Sequence, residues 1–150
     1  MKRTMFAVIA MLMVLSLVLT GCQQEEETLK IGLMMPLSGE VKTFGESMQN
    51  GAMLALNAAI ADGLDIEIIP ADTKADAQEG ANAANKLIFE DGVSIILGPV
   101  VSGTSIPTSE IAQANGVLML TPTATNPSVT INEDGSNKDM IFRACFLDPF

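Results

Sequence analysis

The chain has 150 residues, about one domain's length, and its 18 acids against 8 bases give a net charge of −10. That balance argues against a nucleic-acid partner, because phosphate binding needs clustered Lys and Arg. Histidine is absent, which excludes Ser-His-Asp and Cys-His catalysis and any histidine-based metal site, and the two cysteines, Cys22 and Cys145, offer no disulfide framework.

Residues 1–21 read as an export signal. Lys2 and Arg3 precede an apolar run from Met5 to Leu19 that is shorter than the roughly 20 residues a membrane span needs. The run ends at Leu19-Thr20-Gly21-Cys22, which resembles the lipobox of bacterial lipoproteins, so cleavage before Cys22 and lipidation of its thiol are expected. Residues 22–28, with Gln23-Gln24-Glu25-Glu26-Glu27, have nothing to bury and read as a polar tether. From Leu29 onward, short apolar runs at 29–35, 64–69, 93–97 and 117–120 alternate with helical patterns at about 45–62, 75–91 and 105–114. This alternation is that of strand-helix units on a parallel sheet, an α/β fold. In the second helix, Ala77, Ala81, Ala84 and Ile88 recur at helical spacing and are expected to face the sheet. Asp62-Gly63 and Asp91-Gly92 suit helix stops at which glycine turns left-handed, and Asn132 to Gly135 reads as a turn. A calcium loop over 127–139 is rejected, because no Glu stands at its twelfth position, and no metal or cofactor site is expected.

Ligands of open parallel sheets bind beyond the carboxyl ends of the strands, which directs attention to three loops. The first holds Pro36-Leu37-Ser38-Gly39 and Phe44-Gly45, the second Gly98-Pro99 and Ser102-Gly103-Thr104-Ser105, and the third Thr121-Pro122-Thr123-Ala124-Thr125-Asn126-Pro127. Ser102 to Ser105 precede a helix whose first turn is expected to hold Pro107, so free amides and hydroxyls there suit a carboxylate or phosphate. Equally, Ser102, Thr104 or Ser105 could be spent as a helix cap. In the third loop, Pro122 and Pro127 hold an irregular backbone whose peptide groups can serve an ammonium and a carboxylate together, or merely form a solvated turn. Neither the dinucleotide fingerprint nor a Gly-Lys-Ser/Thr phosphate loop follows the first strand.

Taken in order, these loops resemble the leucine/isoleucine/valine-binding proteins of branched-chain amino acid importers. The matching text also includes Leu29-Lys30-Ile31-Gly32, Asn50-Gly51-Ala52, Ala84-Asn85-Lys86-Leu87-Ile88 and Ile96-Leu97-Gly98-Pro99, and it covers Leu29 to the end. The resemblance implies a three-layer, doubly wound, mostly parallel sheet, the first lobe (29–143) of a two-lobe type I periplasmic-binding fold, or Venus flytrap. Residues 144–150 then start the interlobe hinge, with the second lobe beyond Phe150. It implies that Ser102, with the nearby amides of Gly103 and Thr104, meets a ligand carboxylate. Thr123 touches the ligand through its backbone, Thr125 serves the ammonium with its hydroxyl and the carboxylate with its amide, and Phe44 lines the wall. A disulfide found in well-known members has no counterpart, since Ala75 and Val101 occupy its positions.

The function so implied is that of an exported, lipid-anchored solute-binding protein. It captures amino acids for the permease of an ATP-driven importer and catalyses nothing. Alternatives within the same fold are a binder of amides, urea or other small acids and a sensory ligand-binding domain, the latter disfavoured by a cleaved lipoprotein signal; a further rival is a hydrolase using Ser102. The hydrolase reading lacks histidine and a Gly-x-Ser-x-Gly elbow.

Overall fold

The computed structural model describes residues 28–148; the expected export signal, the Cys22 lipidation site and all of the tether except Thr28 lie outside them. Strand β1 (Leu29–Met35) leads into helix α1 (Lys42–Ala61) and strand β2 (Ile66–Asp72). Helix α2 (Ala77–Asn85) continues into a π-helical stretch (Lys86–Asp91) before β3 (Ile95–Leu97), α3 (Ser102–Ala114) and β4 (Leu118–Thr121). A 3-10 turn (Pro127–Val129) precedes β5 (Ile141–Arg143). Every strand pairing within the sheet is parallel, in the order β2-β1-β3-β4-β5. The expected α/β doubly wound architecture is therefore present, with β5 an additional strand that the sequence pattern did not mark.

Alternation along the strands splits the core in two. Met34, Ile96, Met119 and Ile141 pack with Ala84, Leu87 and Ala112 on the face covered by α2 and α3. Leu33 and Met35 point the other way, toward Met48, Ala52 and Met53 of α1. These are the two helical layers around the sheet. On the α1 side, an apolar cleft of about 300 Å³ opens between Met35, Met48 and Ala52 and the sheet residues Leu97 and Leu120. Pro70 sits in β2, an edge strand, where a missing amide is tolerated.

Several boundaries differ from the sequence reading, each for a local reason. Lys74 and Ala75 adopt φ of 50° and 57°, which bars them from the second helix. Asp76 caps it instead, accepting from the amides of Gln78 and Glu79 at 2.8 and 2.9 Å. The buried face of α2 is Gly80 and Ala84, continued by Leu87, whereas Ala77 is exposed. A Cβ on Gly80 would stand 2.2 Å from Cγ2 of Thr104, so Gly80 lets α2 press against α3. Helix α3 starts three residues earlier than expected and carries Pro107 in its second turn. Gly63 and Gly92 end their helices with φ of 99° and 73°, as expected, and the turn ending at Gly135 is closed by its amide on the Asn132 carbonyl at 3.0 Å. Among the described residues no helix is long and apolar enough to cross a membrane.

Candidate functional site

The strand order reverses direction between β1 and β3, so the loops leaving these two strands diverge and open a crevice at their carboxyl ends. A cavity of about 350 Å³ lies there, lined by Val41, Phe44, Val100, Val101, Ser102 and Thr123. Three separately predicted loops thus meet in one cavity: Phe44 from the first, Ser102 from the second and Thr123 from the third. Phe44 is 63% exposed and forms part of the cavity wall.

The β1 loop is held by a residue the sequence reading passed over. Asp72, at the end of β2, accepts from the Leu37 amide (2.8 Å), the Ser38 hydroxyl (2.6 Å) and the Lys74 amide (2.9 Å). Its own strand was expected to end at residue 69, which hid its position at the crevice. Burial pushes its carboxyl up, but the hydrogen bonds from Ser38, Lys74 and Leu37 outweigh that effect and hold it below the ordinary 3.8. A carboxylate held down in the fold stabilises above its unfolded value and loses that contribution as pH falls through its folded one. Asp72→Asn is accordingly expected to lower stability at neutral pH and to flatten the acid-unfolding limb below pH 3.8. Acid titrations of the two proteins that run parallel would dismiss this role.

The β3 loop is pinned from beneath. The Pro99 carbonyl accepts from the hydroxyls of Thr121 (2.6 Å) and Ser105 (3.1 Å), both fully buried. Gly98, at φ 109°, passes so close to β1 that a Cβ would lie 2.0 Å from the Met34 carbonyl oxygen. The chain then enters α3 at Ser102, with Val101 as the capping residue and no side-chain cap. Capping therefore does not use the Ser102 hydroxyl, and the competing structural role is removed. The amides of Thr104 and Ser105 turn back to Val101 O at 3.1 and 2.9 Å. Those of Ser102 and Gly103 meet no acceptor among the described residues.

Thr104 departs from the expectation. Its side chain is fully buried against Gly80, its hydroxyl has no partner, and its amide is already used, so it supports the helix and does not face the cavity. Gly103 is exposed, with nothing within 4 Å of where a Cβ would be. The remaining hydroxyls have distinct polarities. Ser102 Oγ accepts from the Asn126 amide at 3.2 Å, which leaves its proton to donate. Thr123 donates to the Val100 carbonyl at 2.6 Å, tying the second and third loops together. Thr125 does not line the cavity itself but is joined to it through Asn126, and its hydroxyl donates to Asp148 at 2.6 Å. That leaves the Thr125 oxygen to accept, next to a carboxylate, while its amide meets no acceptor among the described residues. The cavity can thus donate to an anion through Ser102, while Thr125, outside its lining, can accept from a cation.

A doubly wound lobe with a mostly apolar cavity at the switch point, where the Ser102 hydroxyl and the unpaired amides of Ser102 and Gly103 supply the polar groups, is a small-molecule binding unit. Residues 28–144 match the periplasmic binding protein family, and the chain belongs to it. It is 40% identical over 106 residues to the Leu/Ile/Val-binding protein BraC3 of Rhizobium johnstonii, covering 67% of this chain and 28% of that protein. The branched-chain amino acid substrate-binding protein LivJ of Streptococcus pneumoniae, solved with isoleucine, superposes with a TM-score of 0.73 at 31% identity, over 81% of this chain and 34% of that one. A solute-binding protein of Rhodopseudomonas palustris BisB5, solved with 3,4-dihydroxybenzoic acid, gives a TM-score of 0.71 at 25% identity, over 81% and 33%. The chain thus spans about a third of the length of the relatives it matches.

Proposed function

We propose that this chain supplies the first lobe, residues 29–143, of an extracellular solute-binding protein that captures a free amino acid, branched-chain or closely related. The lobe grips the ligand's polar head, a second lobe reached through the hinge at 144–150 closes over it, and the closed form is read by a membrane permease. The protein binds and releases its ligand unchanged. Its anchor is lipid on Cys22 at the outer face of the cell membrane. The observation that carries this reading is the opposed polarity of the two hydroxyls: Ser102 is left with a proton to give and Thr125 with lone pairs to accept. A zwitterion needs both at once, and a hydrogen bond to a charged group contributes about 1.5–3 kcal/mol.

Calorimetry on the full-length protein with L-leucine, L-isoleucine and L-valine tests it. Ser102→Ala and Thr125→Ala are each expected to weaken binding about tenfold or more. Unchanged affinity in both variants would remove the head-group site. The related protein that binds an aromatic acid motivates a second reading, a carboxylate ligand without an ammonium. Such a ligand would depend on Ser102 and be indifferent to Thr125→Ala, so the same pair of variants separates the two. Cys22→Ser in that protein is expected to move it from the membrane fraction to the soluble one.

A further inference from the structure

Arg143, the last residue of β5, pairs in register with Thr121 at the start of the third loop. Its guanidinium fans under that loop. Nη1 donates to the Ala124 carbonyl at 2.8 Å, and Nη2 donates to the Asn126 carbonyl at 3.1 Å, the Pro127 carbonyl at 3.4 Å and the Thr130 hydroxyl at 2.6 Å. The backbone beside it adds two more contacts, from Ala144 N to Thr121 O at 3.0 Å and from Asp148 N to Thr125 O at 3.2 Å. A second cation completes the row. The buried Lys138 ammonium donates to the Ser128 carbonyl at 3.0 Å while held by Ser109 and Glu110 of α3.

The consequence follows from peptide geometry. Carbonyl oxygens gathered on one side of an irregular loop repel one another unless a donor sits among them; the 3-10 turn supplies the amides of Val129 and Thr130 to the Asn126 and Pro127 carbonyls, but no backbone amide among the described residues reaches the Ala124 carbonyl. With the carbonyls of Thr121, Ala124, Thr125, Asn126, Pro127 and Ser128 all drawn toward β5 and Lys138, amides of the same loop are left to turn the opposite way. The Asn126 amide on Ser102 Oγ is one of them. We infer that Arg143 is a positioning residue for ligand binding, one that touches no ligand and sets the direction of the Thr123 to Asn126 peptide groups. This rests on the reading of Ser102 and Thr125 as ligand contacts. Only a planar fork with five donors can serve four acceptors at once; a lysine offers a point charge that reaches fewer. Lys138 acts at the far end of the loop, away from the cavity, and provides the comparison.

The test uses the full-length protein in six forms: unaltered, Arg143→Lys, Arg143→Gln, Lys138→Met, Thr125→Ala and the Thr125→Ala/Arg143→Lys double variant. Amide exchange without ligand is expected to quicken about tenfold at Ala124 and Asn126 in both Arg143 variants, and to change less than about twofold there in Lys138→Met. Titration with L-leucine is expected to show an affinity about tenfold weaker for Arg143→Lys, and a much smaller further loss when Arg143→Lys is added to Thr125→Ala, because the two act through one contact. A purely structural role would give additive losses. Unchanged exchange at Ala124 and Asn126, or additive affinity losses, would overturn the assignment. Should L-leucine, L-isoleucine and L-valine all leave the unaltered protein unbound, the amino-acid reading falls, and the exchange measurement still decides the role of Arg143.

Discussion

Gly98→Ala is expected to destabilise the lobe by about 3–5 kcal/mol, a large share of the roughly 5–15 kcal/mol that holds a domain together. Two effects add. At φ 109° an L side chain is strained whatever space surrounds it, and the new methyl would lie 2.0 Å from the Met34 carbonyl oxygen. That oxygen belongs to the backbone of β1, an interior strand of the sheet, so it cannot swing aside as a flexible side chain would. Relief requires β3 and its loop to back away from β1, which would also move Ser102 away from Asn126. Denaturant unfolding measures the effect, and a loss below about 1 kcal/mol would show that the strand pair gives way easily.

The second large effect is expected at Gly45, where two opposing influences can be separated. Alanine is the better helix former by about 1 kcal/mol, so in open space the change would stabilise α1. A Cβ at Gly45, however, would meet the Pro36 carbonyl oxygen at 2.0 Å and its carbon at 2.7 Å. Overpacking against backbone costs about 1–3 kcal/mol, and the helix must lift from the β1 loop to escape it. Phe44 and Val41 move with it, so ligand affinity is expected to drop several-fold along with stability. Gly51→Ala in the same helix is the control. Nothing lies within 4 Å of its Cβ position, and that variant is expected to gain up to about 1 kcal/mol. If the two substitutions shift the unfolding midpoint in the same direction, the close approach of Gly45 to Pro36 does not govern this helix.

The parts of the fold written in apolar periodicity were legible from the amino-acid order. Strand β1 spans the residues its run of apolar side chains predicted, and the alternation of strands and helices gave the doubly wound sheet. Boundaries slipped where one residue overrode the periodic pattern. Ala75, where the helix was expected to begin, takes positive φ with Lys74 before it, and the start is set by Asp76, a residue type that favours the cap position. Helix α2 keeps Ala84, and Ile88 beyond it, against the core as expected but adds Gly80 to its buried face and leaves Ala77 exposed, because Gly80 is the place where α3 can approach and glycine scores weakly in any apolar count.

Within the site, Ser102, Thr123 and Phe44 could be anticipated because each follows a strand that the pattern identified. Thr104 could not be told from Ser102 by residue type; helix rotation alone turns one to the cavity and the other inward. Asp72 and Arg143 were missed for a related reason. Both belong to strands whose ends were misjudged or unmarked, and their roles depend on which loop lies across from them, a relation set by the order in which strands assemble.

The donors left open at the start of α3 and in the third loop belong to the main chain as much as to side chains. The main-chain share of the proposed grip, unlike the Ser102 and Thr125 hydroxyls, is nearly invisible to genetic change, since no substitution short of proline deletes an N–H. On the proposed amino-acid reading, laboratory evolution toward a different ligand would leave those amides untouched and would act on the walls, with Val41 and Phe44 as the first positions to randomise.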